Sequence, residues 1–442
     1  MIPEPAQVAA VVERQLGMVV HEARRQERWR PTWFVSGERD GEPFDVVVRG
    51  DRGDALGFPL RHEFAFHSIL EERGVPVARL YGWCDELDAV LMEMVPGRPD
   101  FHGVADAVRD TVVDEYLQAM VAVHQLPVEP FLAAGITRGE DGGMVSMHIQ
   151  EEQWRAAKHW PDPFMEFCLD WMHRFEPDDA GRSTPILCDT GQFHHHGGHL
   201  TAVLDLEGGH IGDPMMDLAV WRMRDTLIPF GDMKKLYARY EELSGTEVDL
   251  EAVKRHSFNS TIGNELMFGA AVHDPTVDTD LMTYMQWNSE TNLMATDLLG
   301  DLLGIELPTV EVPEPRRSRR TATFDHLVES LGRLRPEEKY VGHEIRLAYR
   351  AARHLARVDE IGDAVIEADL DDLAELLGWR PSTWFDGDEA LEQFVLSTIE
   401  AGDRSHDEAL VRLFHRRNLR IHLQLGPAGS KMVEHHRTQR FD

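Results

Sequence analysis

Residues 185–214 read PILCDTGQFHHHGGHLTAVLDLEGGHIGDP. Two apolar, β-prone runs flank Gly197-Gly198, a dipeptide suited to a tight hairpin turn. A strand-turn-strand connection folds its own ends together. Asp189, before the first run, and Asp205, at the end of the second, are therefore expected to face each other. With the amide oxygen of Gln192 they offer hard oxygen donors of the kind Mg²⁺ takes. On spacing alone, two aspartates at hairpin ends fit turn capping as well as chemistry.

Upstream, PTWFVSGERDGEPFDVVVRG (residues 31–50) predicts a β-hairpin about the turn-forming RDGEP. In LRHEFAFHSILEERG, Phe66, Ile69 and Leu70 recur at helical spacing, Glu63 shares their inward face and Gly74 supplies the stop. Strand-like runs follow at Val77–Trp83 and Ala89–Met94, then a break at Pro96-Gly97. Beyond residue 106 the apolar period is helical, as in DEYLQAMVAVHQL, FMEFCLDWMHRF and PMMDLAVWRMRD. The proline- and arginine-rich stretch 308–320 reads as a linker, and residues 321–430 as almost wholly helical.

The expected fold class is α+β. An N-lobe with an antiparallel sheet and a helix occupies 1–97, and an α-rich C-lobe holding the hairpin occupies 98–307. The linker 308–320 then leads to an all-α domain at 321–442.

A formal net charge of −33 over 442 residues disfavours a nucleic-acid-binding surface, which needs clustered Lys and Arg. No stretch approaches the roughly 20 apolar residues of a membrane span. The N-terminus lacks the basic and apolar regions of a signal peptide. Cys84, Cys168 and Cys188 show no metal-type spacing, which favours a reducing compartment; the expectation is a soluble cytoplasmic protein. His194, His195 and His196 alternate faces on a strand, which keeps them from sharing one metal.

The stretch Ile186–Asp217 resembles the catalytic core of the aminoglycoside phosphotransferase and choline kinase-like superfamily, whose pattern is HGDxxxGN, then DWE or DFE, then GDPxxDLA. Here the corresponding pieces are CDTGQ, VLDLE and GDPMMDLA. The resemblance implies a two-lobed protein-kinase-like fold and an ATP- and Mg²⁺-dependent small-molecule kinase. It implies Asp189 as the catalytic aspartate, Asp205 and Gln192 as metal ligands, and Asp213 and Asp217 as braces. It further implies Arg49 at the place of the phosphate-binding Lys, Glu63 as its partner, and Met92, Glu93 and Met94 as the adenine-holding hinge. The chain departs from the pattern in three places. Leu187-Cys188 stands for His-Gly, Gln192 for Asn, and residues 24–37 contain no glycine before Gly37 where a glycine-rich phosphate loop is usual.

FPLRHEFAFHSIL, DTGQF and IGDPMMDLA resemble the branch of that superfamily associated with acyl-CoA metabolism. The C-terminal helical segment resembles a small helical protein that accompanies such kinases as a separate subunit. Together they imply a hydroxyl of an acyl-CoA, of the 4-hydroxyacyl type, as acceptor. An aminoglycoside or other antibiotic acceptor stays open, as does a degenerate kinase that only binds nucleotide or a partner. The oligomeric state is left open too.

Overall fold

The computed structural model describes residues 2–28, 30–51, 57–138, 145–175, 181–277, 279–426 and 436–440. The chain divides into two compact units, one of Met1–Gln150, Pro177–Ser257 and Thr438–Asp442, the other of Glu151–Glu176 and Phe258–Arg437.

In the first unit, strands β1 (Val19–Arg25), β2 (Thr32–Arg39), β3 (Glu42–Gly50), β4 (Leu80–Cys84) and β5 (Ala89–Glu93) form an antiparallel sheet in the order β1-β2-β3-β5-β4. Asp40 and Gly41, both at positive φ (55° and 80°), make the two-residue turn of the β2–β3 hairpin. Alternation along the strands buries Trp33, Val35, Val46 and Val48 against Val8, Val11 and Val12 of helix Pro5–Leu16. The alternation sends Arg49 to the opposite face. Helix Leu60–Glu72 places Phe66, Ile69 and Leu70 in the larger core and buries Glu63. The sequence pattern singled out neither helix Pro5–Leu16 nor β1.

The remaining strands are short. β6 (Thr184–Ile186) pairs with β9 (His210–Gly212), and β7 (Phe193–His196) pairs with β8 (His199–Val203) across Gly197-Gly198. Helices Asp106–His124, Pro214–Arg224 and Met233–Ser244 supply Tyr116, Leu117, Trp221 and Tyr237 to the core around them.

The second unit is helical: Pro163–Arg174, Gly263–His273, Leu281–Leu303, Thr321–Arg333, Lys339–Leu377, Trp384–Ala401 and Asp407–Leu425. Residues 258–307, grouped with the C-lobe by the sequence pattern, fall in this unit, because helix Leu281–Leu303 packs along Asp407–Leu425. Thr296 Oγ1 lies 2.9 Å from His415 Nδ1, and Asn418 Nδ2 donates to Asn292 O at 3.2 Å. Residues 308–320 carry neither helix nor strand, and Arg320 Nη2 lies 2.7 Å from Asp359 Oδ1. Among the described residues, no helix is long and apolar enough to cross a membrane.

Candidate active site

The site is built on the loop between β6 and β7. Asp217, wholly buried in helix Pro214–Arg224, accepts hydrogen bonds from the amides of Leu187 and Cys188, each at 2.8 Å. Its Oδ2 also lies 2.9 Å from His124 Nε2, and its main-chain oxygen accepts from Thr190 Oγ1 at 2.7 Å. Asp213 caps the same helix through Met215 N at 3.0 Å and pairs with Arg182 at 3.0 Å. Both acids thus hold backbone in place.

Cys188 sits at φ 68°, a left-handed conformation that disfavours a side chain and in which glycine is at ease. The resemblance puts a glycine at this position, and Cys188 adopts its backbone geometry all the same. Burial pushes the Cys188 thiol up to about 12, which removes it as a nucleophile near neutral pH. At Gly191 (φ 86°) an added Cβ would lie 2.7 Å from Arg224 Cγ, so this position admits glycine alone.

Leu204 N donates to Gln192 O at 3.0 Å, closing the hairpin so that Asp205 (φ 58°) comes beside the loop. The side-chain amide of Gln192 bridges the two aspartates, donating to Asp189 Oδ2 and, at 2.8 Å, to Asp205 Oδ2. Each aspartate also holds an arginine. Arg224 Nη2 donates to Asp189 Oδ1, and Arg49 Nη2 to Asp205 Oδ1 at 2.9 Å. Arg49 Nε in turn lies 2.8 Å from Glu63 Oε1. One continuous polar chain runs Arg224–Asp189–Gln192–Asp205–Arg49–Glu63.

The carboxylates are driven apart electrostatically. Burial raises Asp189, and Asp205 adds to the push; Arg224 opposes it without cancelling it, so the net shift is upward. The Asp189 side chain keeps 37% exposure, which tempers the effect. Burial also acts to raise Asp205, but Arg49 and Arg30 outweigh it and hold that carboxyl well below the usual range. Burial lowers Arg49, yet Glu63, Asp205 and Glu207 reverse the sign, so the guanidinium stays charged.

Met92 and Glu93 lie on β5 opposite Val47 and Val46, and Met94 N donates to Asp45 O at 3.4 Å. Pairing to the neighbouring strand fixes this backbone where the chain leaves the sheet. The Asp205 carboxylate and the Gln192 amide oxygen, after a half-turn of the amide, are donors of the kind Mg²⁺ takes. Among the described residues, no group of three or more His, Cys, Asp or Glu side chains is placed to hold a metal.

Sequence reasoning missed three side chains. Arg30, in the loop between β1 and β2, is buried and reaches both Glu63 Oε2 (3.3 Å) and Glu207 Oε2. Glu207 also accepts from Arg49 at 3.2 Å. A cation therefore stands where the expected loop lacks glycines. The signal was the cluster Arg24, Arg25, Arg28 and Arg30, but sequence does not say which arginine turns inward. Arg224, the partner of Asp189, looked like one of several charges on an amphipathic helix.

The chain is 26% identical over 175 residues to acyl-CoA dehydrogenase family member 10 of Mus musculus, a match covering 36% of this chain and 16% of that protein. It is 26% identical over 224 residues to acyl-CoA dehydrogenase family member 11 of Pongo abelii, covering 47% of this chain and 28% of that protein. The chain thus spans less than a third of the length of these curated relatives. A solved structure from Ralstonia eutropha JMP134, assigned as an aminoglycoside phosphotransferase, superposes with a TM-score of 0.51 at 19% identity, over 66% of this chain and 96% of that one. The two share the fold. The sequence profile of the phosphotransferase enzyme family matches residues 23–250, more than half of the 442-residue chain, and the protein belongs to that family.

Proposed function

We propose that the first unit transfers the γ-phosphoryl group of ATP to a hydroxyl of a small molecule, with a hydroxyacyl-CoA of the 4-hydroxyacyl type as the acceptor. The observation that carries the reading is the polar chain from Arg224 to Glu63, in which two aspartates bridged by Gln192 have opposite pKa shifts. Such a pair divides labour: one carboxylate takes a proton while the other stays charged.

Asp189, with the raised pKa, orients the acceptor hydroxyl and receives its proton as the phosphoryl group leaves the nucleotide. Asp205, held ionised, and the Gln192 oxygen are the residues that would hold Mg²⁺, which when bound neutralises phosphate charge. Arg49, fixed by Glu63, and Arg30 offer guanidinium donors to phosphate oxygens, substituting side chains for the backbone amides of a glycine-rich loop. The backbone at Met92, Glu93 and Met94 is the proposed adenine contact.

The acceptor class rests on sequence similarity to acyl-CoA dehydrogenase family members 10 and 11. Nucleotide consumption measured with Mg-ATP and separate panels of hydroxyacyl-CoAs and aminoglycosides tests it. Turnover with a hydroxyacyl-CoA supports the proposal. Turnover confined to aminoglycosides would replace the acceptor, and Mg-ATP binding without turnover on any acceptor would make the chain a nucleotide-binding protein.

A further inference from the structure

Gln439 belongs to the same compact unit as the catalytic loop. Its side-chain Nε2 donates to Asp225 Oδ2 at 2.7 Å and to Gly231 O at 2.6 Å. Its Oε1 accepts from Met233 N at 3.2 Å, and its main-chain oxygen from Arg222 Nε at 2.7 Å. Here both amide hydrogens and the amide oxygen of one side chain are used on a single connection.

That connection, residues 225–232, joins helix Pro214–Arg224 to helix Met233–Ser244. Asp225 ties it twice: one carboxylate oxygen takes Gln439, and the other accepts Phe230 N at 2.8 Å. Gly231 sits at φ 131°, a conformation for which a side chain is strained. Met233 N is one of the amides that a helix start leaves without an intrahelical partner, and Gln439 satisfies it.

The far side of the connection touches the catalytic loop. Phe230 is buried against Phe101, Phe193 and Trp221, with ring centroids 6.2, 6.1 and 5.6 Å away. A Cβ on Gly191 would lie 3.2 Å from Phe230 Cζ and 2.7 Å from Arg224 Cγ, so both residues press on the loop at that glycine. Arg224 Nε donates to Thr190 O at 3.3 Å while Nη2 holds Asp189.

We propose that Gln439 is a positioning residue for the phosphoryl-transfer centre, fixing the 225–233 connection and, through Phe230 and Arg224, the loop that carries Asp189. The inference rests on the reading of Asp189 as acceptor-orienting base. The charged and polar groups facing Asp189 are Arg224, Asp205 and Gln192. Loosening the connection frees Phe230 and Arg224 from the loop, and the loop amides open more often.

The test compares the full chain with its Gln439→Ala variant, without substrate. Hydrogen exchange read on peptides covering 226–233 and 187–192 is expected to quicken roughly tenfold, as loss of about 1.4 kcal/mol of local anchoring implies. Helix Asp106–His124 should be unchanged, which shows that the fold is kept. In a separate assay of nucleotide consumption with the parent's acceptor, kcat should fall roughly tenfold with KM for Mg-ATP unchanged, a split that a general loss of stability does not give. Quickened exchange confined to 436–440, with 187–192 exchanging as in the parent, or an unchanged kcat, would overturn the proposal. Thr438→Ala should leave both readouts as in the parent; the same shifts there would take the role away from Gln439. If the coupling appears but the parent consumes no ATP with any acceptor, the coupling stands and the phosphotransfer reading fails.

Discussion

Arg49 Nη2 donates to Asp205 Oδ1 at 2.9 Å, a bond that ties β3 of the sheet to the end of the catalytic hairpin. Glu63 holds the same guanidinium from the helix side at 2.8 Å. Replacing Arg49 by Met removes the link and takes a cation from the buried Glu63 and the part-buried Asp205. Mg-ATP affinity should fall about 10- to 100-fold by calorimetry, the range for lost charge-assisted bonds. Arg49→Lys should recover only part of it, because an ammonium cannot serve Glu63 and Asp205 in the same fork. Asp205→Ala should also weaken Mg-ATP binding.

Asp217 makes a second tie, from helix Pro214–Arg224 to the loop. Asp217→Ala leaves the Leu187 and Cys188 amides unsatisfied in a buried site and deprives His124 of its acceptor. Chemical denaturation should register a loss of about 3 kcal/mol, the lower end for breaking a buried charged group's contacts. Asp217→Asn, which keeps one acceptor oxygen, should lose less.

The raised pKa of Asp189 fixes the sign of a pH effect. On the proposed assignment the ionised carboxylate is the working form, so turnover should fall as pH drops through a midpoint above the ordinary aspartate value of about 3.9. Arg224 acts to lower that midpoint. Arg224→Gln should therefore move the acid limb of the pH–rate profile upward. A downward shift would contradict the assignment.

Much of this centre was legible in the sequence because it depends on short-range pattern. The Gly197-Gly198 turn, the apolar runs around it and the period of LRHEFAFHSILEERG place Asp189, Asp205, Arg49 and Glu63 on elements that can meet. What escaped depends on contacts between residues far apart in the chain. Arg30 and Glu207 are 177 positions apart, and Gln439 lies 214 from Asp225. Helix Pro5–Leu16 shows only a short apolar stripe, and its value comes from the sheet face it covers. The orientation of the Gln192 amide is set by two carboxylates whose approach exists only after folding.

In the second unit, burial and the nearby Asp162 push Glu265 up to about 8, while Asn292 Nδ2 donates to its Oε2 at 3.2 Å. The folded-state pKa lies above the unfolded one, so this contribution to stability is full below about 4.3 and is lost as pH rises towards the folded value. Glu265→Gln keeps an uncharged side chain of the same shape. It should flatten the pH dependence of thermal unfolding and raise Tm above pH 8 by roughly 2–4 °C. Equal pH dependence in both proteins would place the titration elsewhere.

On the proposed assignment, Asp189 orients and deprotonates the acceptor while other residues hold the nucleotide. Mg-ATP consumption in the presence of the identified acceptor, measured in parallel for the parent and Asp189→Asn, tests it most directly. Turnover should drop by about 10²- to 10⁴-fold, with Mg-ATP affinity and thermal stability retained. Undiminished turnover in Asp189→Asn would take the acceptor-orienting role away from Asp189.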